Sequence, residues 1–376
     1  MVKKILFVFV FLISNYGFSQ LTPITNNTKV SLLTVGTSNE AHSLYGHTAI
    51  RINDVSTDFD FIYNYGMFDF STENFVLKFV KGDMKYFAAA YPYQDFEYSY
   101  RVENRSIYEQ VLNLSLAEKQ KLFEKLNISL APESKFYTYK FIDRNCTTKV
   151  NDVLNEVLEK SPIVKKNIDE DKSYRDVLYP YAAHVFYQKL GINIIFGTKV
   201  DQTATKIFLP FDLYENAKNT TYHHKPLVTG SKTLFKASRN DIGFSFFDSI
   251  YSLLLVLFLI LIFNSKIVNI LYFSILGLLG IFFSLVGLYS FHQEISWNYN
   301  VLLFNPLYLI LVYFMIKNNS KWIMNITIFC MSCLGFYLLY MLNKIHLFIM
   351  MPFIITNIIL LFRLIYRKLN LLSSIE

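Results

Sequence analysis

Cys146 is the residue best placed to do chemistry in the first 240 positions. The chain has three cysteines, and the other two, Cys330 and Cys333, lie inside a long apolar run. Cys146 therefore has no disulfide partner in the segment that precedes that run. In an exported protein an unpaired thiol is a hazard unless it is used. The plain alternative is a buried, inert cysteine, and the surrounding residues argue against it. The stretch Asp143-Arg144-Asn145-Cys146-Thr147-Thr148 leads into Val150, Val153, Leu154, Val157 and Leu158, the apolar spacing of a helix. A thiol at a helix N-terminus meets free N–H groups and a partial positive charge, both of which favour the thiolate. Arg144 adds charge of the same sign. The same N–H groups could hold the oxyanion of a tetrahedral acyl intermediate.

A thiol nucleophile needs a base. Five histidines precede the apolar run: His42, His47, His184, His223 and His224. His223 and His224 sit in a polar stretch and read as solvent-exposed, and His184 falls in an aromatic helical segment and reads as packed. His42 and His47 remain. His47 opens the β-rich run HTAIRI and so rides on a rigid element, whereas His42 belongs to a loop; His47 is the preferred base.

Other chemistries find little support. His42 and His47 are five apart with no third ligand at metal spacing, so no metal is expected. Glycine is sparse, no phosphate-binding loop is present, and no cofactor is called for. Arg101 and Arg105 in YRVENR could meet a lipid phosphate, although surface charges on a strand are the commoner explanation.

The elements that must position these residues read as mixed α and β. Val30–Thr37 is β-rich without clean alternation. His47–Asn53, Phe59–Tyr65, Tyr86–Tyr93 and Ser106–Leu114 read as strands. Thr72–Lys81 has helical spacing, Ser115 and Glu118 form a capping box for a helix Leu116–Ile128, and Thr147–Glu159 is the amphipathic helix behind the thiol.

Charge and hydropathy divide the chain. The net charge is +7, but Gln20–Asn240 carries 27 Lys+Arg against 25 Asp+Glu, so no basic face is available for nucleic acid. The surplus lies at Lys3 and Lys4 and in the loops of an apolar C-terminal part. Residues 1–19 read as a secretory signal: two lysines, an apolar core Ile5–Ile13, and Gly17-Phe18-Ser19 as a cleavage site. An exported domain of mixed α and β elements follows over 20–240. From 241 to 370 an all-α bundle is expected, with spans at about Phe244–Phe263, Val268–Phe291, Val301–Ile316 (containing Pro306), Trp322–Leu342 and Leu347–Tyr366. With the first domain outside, Lys266, Lys317, Lys321, Arg363, Arg367 and Lys368 all lie inside and only Lys344 outside, as positive-inside topology requires. That places the C-terminus in the cytoplasm. The outer loop YSFHQEISWNYN, with His292 and Glu294, reads as an ordinary interfacial loop, or as a lid or lipid-headgroup contact facing the exported domain.

Gly46-His47-Thr48-Ala49-Ile50 at a strand start, followed about 100 residues later by Asn145-Cys146 at a helix start, resembles the circularly permuted NlpC-type papain-like superfamily. That group includes amidases, peptidases and lecithin:retinol-type acyltransferases. The segments HSLYGHTAIRI, DFIYNYGMFDFSTENFVLKFVKGDMKYF, YRVENRS and DRNCTT are similar to the exported domain of the Bacteroides-type lipoprotein N-acyltransferases (Lnb). The fusion to a multispan region with a loop like SFHQEISWNYNVLLFNPL adds to the likeness, which covers most of the chain from about Val30 to Leu307.

The resemblance implies an α+β papain-like exported domain in which Cys146 is the nucleophile, His47 its base, and a polar residue on the next strand the third member. Asn64 is the choice and Asp60 the alternative. His42, Tyr45, Arg144, Asn145, Arg101, Arg105 and His292 are further candidates for substrate binding. The implied function is transfer of an acyl chain from a phospholipid donor, through a Cys146 thioester, to the N-terminal amine of a diacylated lipoprotein acceptor, at the periplasmic face of the inner membrane. The competing readings are a cell-wall cysteine peptidase or amidase, which shares the thiol and base, and a non-enzymatic membrane receptor or scaffold.

Overall fold

The computed structural model describes residues 24–166, 171–238 and 243–373; the expected signal segment lies outside them. Its N-terminal part is built on one antiparallel sheet in the order β6-β4-β3-β2-β1-β5-β9. The strands are β1 (Lys29–Val35), β2 (His47–Asp54), β3 (Phe59–Met67), β4 (Lys85–Pro92), β5 (Ile107–Leu112), β6 (Phe136–Thr138) and β9 (Val228–Phe235), with a small hairpin of β7 (Thr221–Tyr222) and β8 (Lys225–Pro226) aside. Four helices of this part matter for the site: α1 (Phe75–Lys81), α2 (Tyr93–Val102), α3 (Leu116–Ile128) and α4 (Cys146–Val157).

Both faces of the central strands are covered. Val30 and Leu32 of β1 and Ile50 and Ile52 of β2 meet Leu122 and Leu126 of α3 and Val150 and Leu154 of α4. On the other face Leu33, Val35 and Ala49 meet Tyr93 and Phe96 of α2. A strand buried on both sides has no reason to alternate, which is why Val30–Thr37 did not.

The predicted capping box of α3 forms: Glu118 N–H donates to Ser115 Oγ at 3.3 Å and Ser115 N–H to Glu118 Oε2 at 2.7 Å. Two elements depart from expectation. The segment assigned to surface charges on a strand is α2, whose Tyr93, Phe96 and Tyr100 recur at helical spacing. The sheet also gains β9, an edge strand with mostly exposed side chains and hence no apolar alternation to betray it.

Three short helices follow, α5 (Tyr174–Leu178), α6 (Phe186–Ile195) and α7 (Pro210–Lys218), and then the bundle: α8 (Ile250–Phe263), α9 (Lys266–Tyr289), α10 (Leu307–Ile316), α11 (Ser320–Met341) and α12 (Leu347–Ser373). Four stretches are long and apolar enough to cross a membrane: Lys266–Tyr289, Gln293–Ile316, Ser320–Met341 and Leu347–Tyr366. The run expected as the first span, Phe244–Phe263, holds a shorter apolar helix than expected. Its helix starts only at Ile250 and runs 14 residues, about 21 Å at 1.5 Å per residue, against the roughly 30 Å of a hydrocarbon core. The polar residues before it are occupied in turning the chain: Ser249 Oγ donates to Phe246 O at 2.6 Å, and Asp248 Oδ1 accepts the Tyr187 N–H at 3.0 Å. The third span also differs. Pro306 stands at the start of α10 rather than inside it, and the stretch before it forms two short 3-10 turns.

Those turns lock the bundle to the first part. Asn300 is fully buried; its Nδ2 donates to the carbonyls of Asn193 and Ile194 at 3.0 and 2.9 Å, and its Oδ1 accepts from Tyr337 Oη at 2.8 Å. Asn298 Nδ2 donates to Ile194 O and Ile195 O. Arg175 pairs with Asp201 at 2.6 Å, and Tyr299 Oη donates to that carboxylate at 2.8 Å. A buried polar network this fully satisfied fixes one arrangement of its parts. At Gly197 an added Cβ would lie 2.0 Å from Ser296 O, so only glycine permits the approach.

Candidate active site

The thiol is placed by the way α4 begins. Asn145 is its N-cap: Thr148 N–H donates to Asn145 Oδ1 at 2.9 Å and Asn145 N–H to Thr148 Oγ1 at 2.8 Å. Asn145 Nδ2 donates to the carbonyls of Phe141 and Phe208. Its side chain is thus committed to the helix start and to the backbone beside it. Just upstream, Asp143 is ion-paired with Lys199 and Lys206. The helix start is pinned to β2 by the Thr48–Thr147 hydroxyl bond at 3.1 Å. Cys146 is half-buried and rests on Gly66, where an added Cβ would sit 3.4 Å from Cys146 Cβ. Gly66 also has a φ of +86°. Placing Ala there costs about 1–2 kcal/mol in backbone strain and presses on the thiol. Gly66→Ala is expected to lower the melting temperature by several degrees and to slow alkylation of Cys146; unchanged values of both would contradict the close approach.

His47 stands at the first position of β2, and Ala49 is paired with Asn64 across β3. His47 Nε2 lies 2.5 Å from Asn64 Oδ1. The Asn64 amide nitrogen donates to Tyr91 Oη at 2.8 Å and approaches Met67 Sδ at 3.2 Å, so its oxygen is the atom turned to the imidazole. Nε2 then carries the hydrogen, and Nδ1 is the ring nitrogen left for the thiol. His47 and Cys146 stand close enough that each shifts the pKa of the other.

The charges of the pair follow from competing terms. Burial is the largest influence on each and opposes ionisation, pressing the imidazole pKa down and the thiol pKa up. Mutual attraction and hydrogen bonding overcome it. His47 ends above its ordinary 6.5 and Cys146 below its ordinary 9.0, the thiolate further helped by the Thr48 N–H and the Thr147 hydroxyl. The resting site is therefore drawn toward thiolate and imidazolium. The rate of alkylation by iodoacetamide against pH should show an inflection below 9, moving upward in His47→Ala. An inflection at or above 9 in the unaltered protein would contradict the pairing.

The remaining candidates are spread more widely. Asp60, the alternative third member, lies four residues before Asn64 on β3 and is held by Arg51 at 2.6 and 2.7 Å. His42 is exposed on the turn before β2, and His184, expected to be packed, is exposed as well. Tyr45 packs against Phe141 and Tyr181 with ring centroids 5.3 and 5.6 Å apart, beneath the thiol loop. Arg144 is exposed with its guanidinium 5.4 Å over the Tyr137 ring. Arg101 pairs with Glu97 along α2. Arg105, read as a surface charge, is 4% exposed; it donates to Gly36 O and pairs with Glu103. It also lies 4.8 Å over Tyr100, whose ring is 6.3 Å from that of His47. Arg105 thus backs the site from within.

The outer loop of the bundle reaches this region. His292 Nε2 lies 2.8 Å from Phe79 O. Glu294 is 1% exposed; its Oε1 accepts the Ile142 N–H at 3.1 Å and its carbonyl accepts the Gly197 N–H at 2.8 Å. The membrane part therefore holds the loop that leads to Cys146. Tyr91, Tyr100 and the Thr48 amide are site residues that sequence reading missed. Only Gly66 carried a signal, a lone glycine ending a β-rich run.

Residues 19–178 match the family model described as the Lnb N-terminal periplasmic domain. No curated protein and no solved structure matches the chain.

Proposed function

We propose that this chain, whose residues 19–178 match the model of the Lnb N-terminal periplasmic domain, is a membrane enzyme of lipoprotein maturation. It transfers a fatty acyl chain from a phospholipid, by way of a Cys146 thioester, to the N-terminal amine of a diacylglyceryl-cysteine lipoprotein. The observation that carries the reading is the line Cys146–His47–Asn64, with the thiol at a helix start and the loop before it held by Glu294 of the membrane part. A histidine on a strand that meets a cysteine on a later helix start also fits the permuted papain-like arrangement. Two lipid-borne substrates account for a thiol site fastened to apolar helices, because confinement in one bilayer makes the encounter effectively unimolecular.

In the first half-reaction the Cys146 thiolate attacks the ester carbonyl of the phospholipid. The charge passing onto the carbonyl oxygen meets the amides that open α4. As the C–O bond breaks, the His47 imidazolium gives its proton to the departing lysophospholipid oxygen. The thioester and a neutral imidazole remain. The lipoprotein amine then attacks the thioester, His47 takes the proton it sheds, and the C–S bond breaks to restore thiolate and imidazolium. The net change is an ester and an amine converted to an amide and an alcohol. Asn64 holds His47 in the tautomer both steps require.

The purified full-length protein, given a diacylated lipopeptide and phospholipid in detergent, is expected to yield triacylated lipopeptide and lysophospholipid in equal amounts. Release of peptides from cell wall, with no lipopeptide product, would overturn the reading in favour of the cell-wall peptidase.

A further inference from the structure

Helix α1 is an anomaly among the described residues. Of its seven residues, Phe75, Val76, Leu77, Phe79 and Val80 are large and apolar, and none is buried in the protein. Val76 and Leu77 are each 68% exposed, and Phe70 just before the helix is 72% exposed. A folded domain does not ordinarily leave such a cluster to water.

What covers it follows from where its C-terminus is held. The last carbonyls of a helix need outside donors. Those of α1 receive them from the residues that directly follow the long apolar helix α9. Ser290 Oγ donates to Val80 O and Phe291 N–H to Lys81 O, both at 2.8 Å, and His292 Nε2 lies 2.8 Å from Phe79 O. The 24 residues of α9 measure about 36 Å, more than the ~30 Å of hydrocarbon. This end of α9 is fastened to the domain that matches a periplasmic family model, so it marks the outer membrane–water boundary, and Leu288 there is 85% exposed. Seven residues of helix are about 10 Å long, so no part of α1 lies much further than that from the boundary. Lys78 and Lys81 in its last turn, with Lys85 and Lys135 beside a groove of about 760 Å³ next to the helix, stand where lipid phosphates lie. Asp69 and Asp83 share that groove, and Asp83 pairs with Lys81.

We propose that α1, with Phe70, is an in-plane membrane contact: Val76, Leu77 and Phe79 enter the outer-leaflet interface while the lysines meet phosphate headgroups. The partner is the lipid surface itself, and the contact holds the thiol domain down on the bilayer. This rests on α9 crossing the membrane and not on the acyl chemistry. Val55, Tyr98 and Val102 are as exposed as α1 but make no hydrogen bond to the end of α9, and they serve as the contrast.

The test uses the full-length protein in nanodiscs, in a background with Trp297→Phe and Trp322→Phe. A single reporter is introduced by Leu77→Trp or, as the control, Tyr98→Trp. Each exchanges one exposed large side chain for another and leaves the packing of the fold untouched. Lipids brominated on their acyl chains are expected to quench the Leu77→Trp reporter about twofold or more, as for a side chain inside the interface, and to leave the Tyr98→Trp reporter nearly unchanged. Equal quenching of both reporters, or none at position 77, would overturn the proposal. Because the readout is emission, loss of the acyltransferase reading would leave this result standing, and the reverse also holds.

Discussion

Cells that depend on this protein and carry Cys146→Ala are expected to accumulate lipoproteins with two acyl chains and a free N-terminal amine. The reason is that no other group can take over the thiol's part. Cys330 and Cys333 lie in α11 of the bundle, and the hydroxyl of Thr147 is engaged with Thr48. Loss of a covalent nucleophile typically costs a thousandfold or more in kcat, and binding of both lipids alone makes up little of it. Cys146→Ser is expected to fail nearly as completely, since a serine hydroxyl gains far less than a thiol from an imidazole tuned as this one is. Mass spectrometry of lipoprotein N-terminal peptides separates the outcomes. Triacylated peptides persisting at the unaltered level in Cys146→Ala would contradict the mechanism.

The second large effect belongs to His47. In His47→Ala the thiol loses its acceptor, its attraction to imidazolium and the acid that protonates the leaving oxygen. General acid–base groups contribute about 10²–10⁴ in rate, and the loss is expected in that range. The pH profile distinguishes this role from a merely structural one. With the thiol pKa held below 9.0 and the imidazole pKa above 6.5, the reactive pair is lost by thiolate protonation on the acid side. On the alkaline side it is lost by imidazolium deprotonation. The unaltered enzyme should therefore give a bell. Asn64→Ala should keep the bell with a lower maximum and a lowered alkaline limb, because the hydrogen bond that favours imidazolium is gone. A rate in Asn64→Ala that matches the unaltered enzyme at every pH would remove Asn64 from the account.

The residues the structure brings together were largely visible in the sequence because they are chemically scarce. One thiol before the apolar run and one histidine at a strand start left few pairings to consider. Asn64 could be preferred to Asp60 only by resemblance. The physical reason for the choice, that Arg51 holds Asp60 while Tyr91 turns the Asn64 amide, depends on cross-strand neighbours that spacing does not reveal. Helix α2 was hidden because an aromatic-rich run such as Tyr91–Tyr100 satisfies strand preferences, although its burial follows a helical period. Arg105 was misread with it. In the bundle, hydropathy located the apolar stretches. It did not register that Asn298 and Asn300 break the third into turns that tie it to α6, or that Ser249 delays the start of α8. The Asn298 and Asn300 bonds join segments about 100 residues apart, and no local pattern encodes them.

The central claim is that an acyl chain rests on Cys146 between donor and acceptor. Purified full-length protein incubated with phospholipid and no acceptor, then analysed as intact protein and as peptides, tests it most directly. The account predicts a mass increase equal to one fatty acyl group on the peptide holding Cys146, removed by neutral hydroxylamine and by later addition of diacylated lipopeptide. Transfer to lipopeptide with no adduct on Cys146, or with a hydroxylamine-resistant adduct elsewhere, would contradict it.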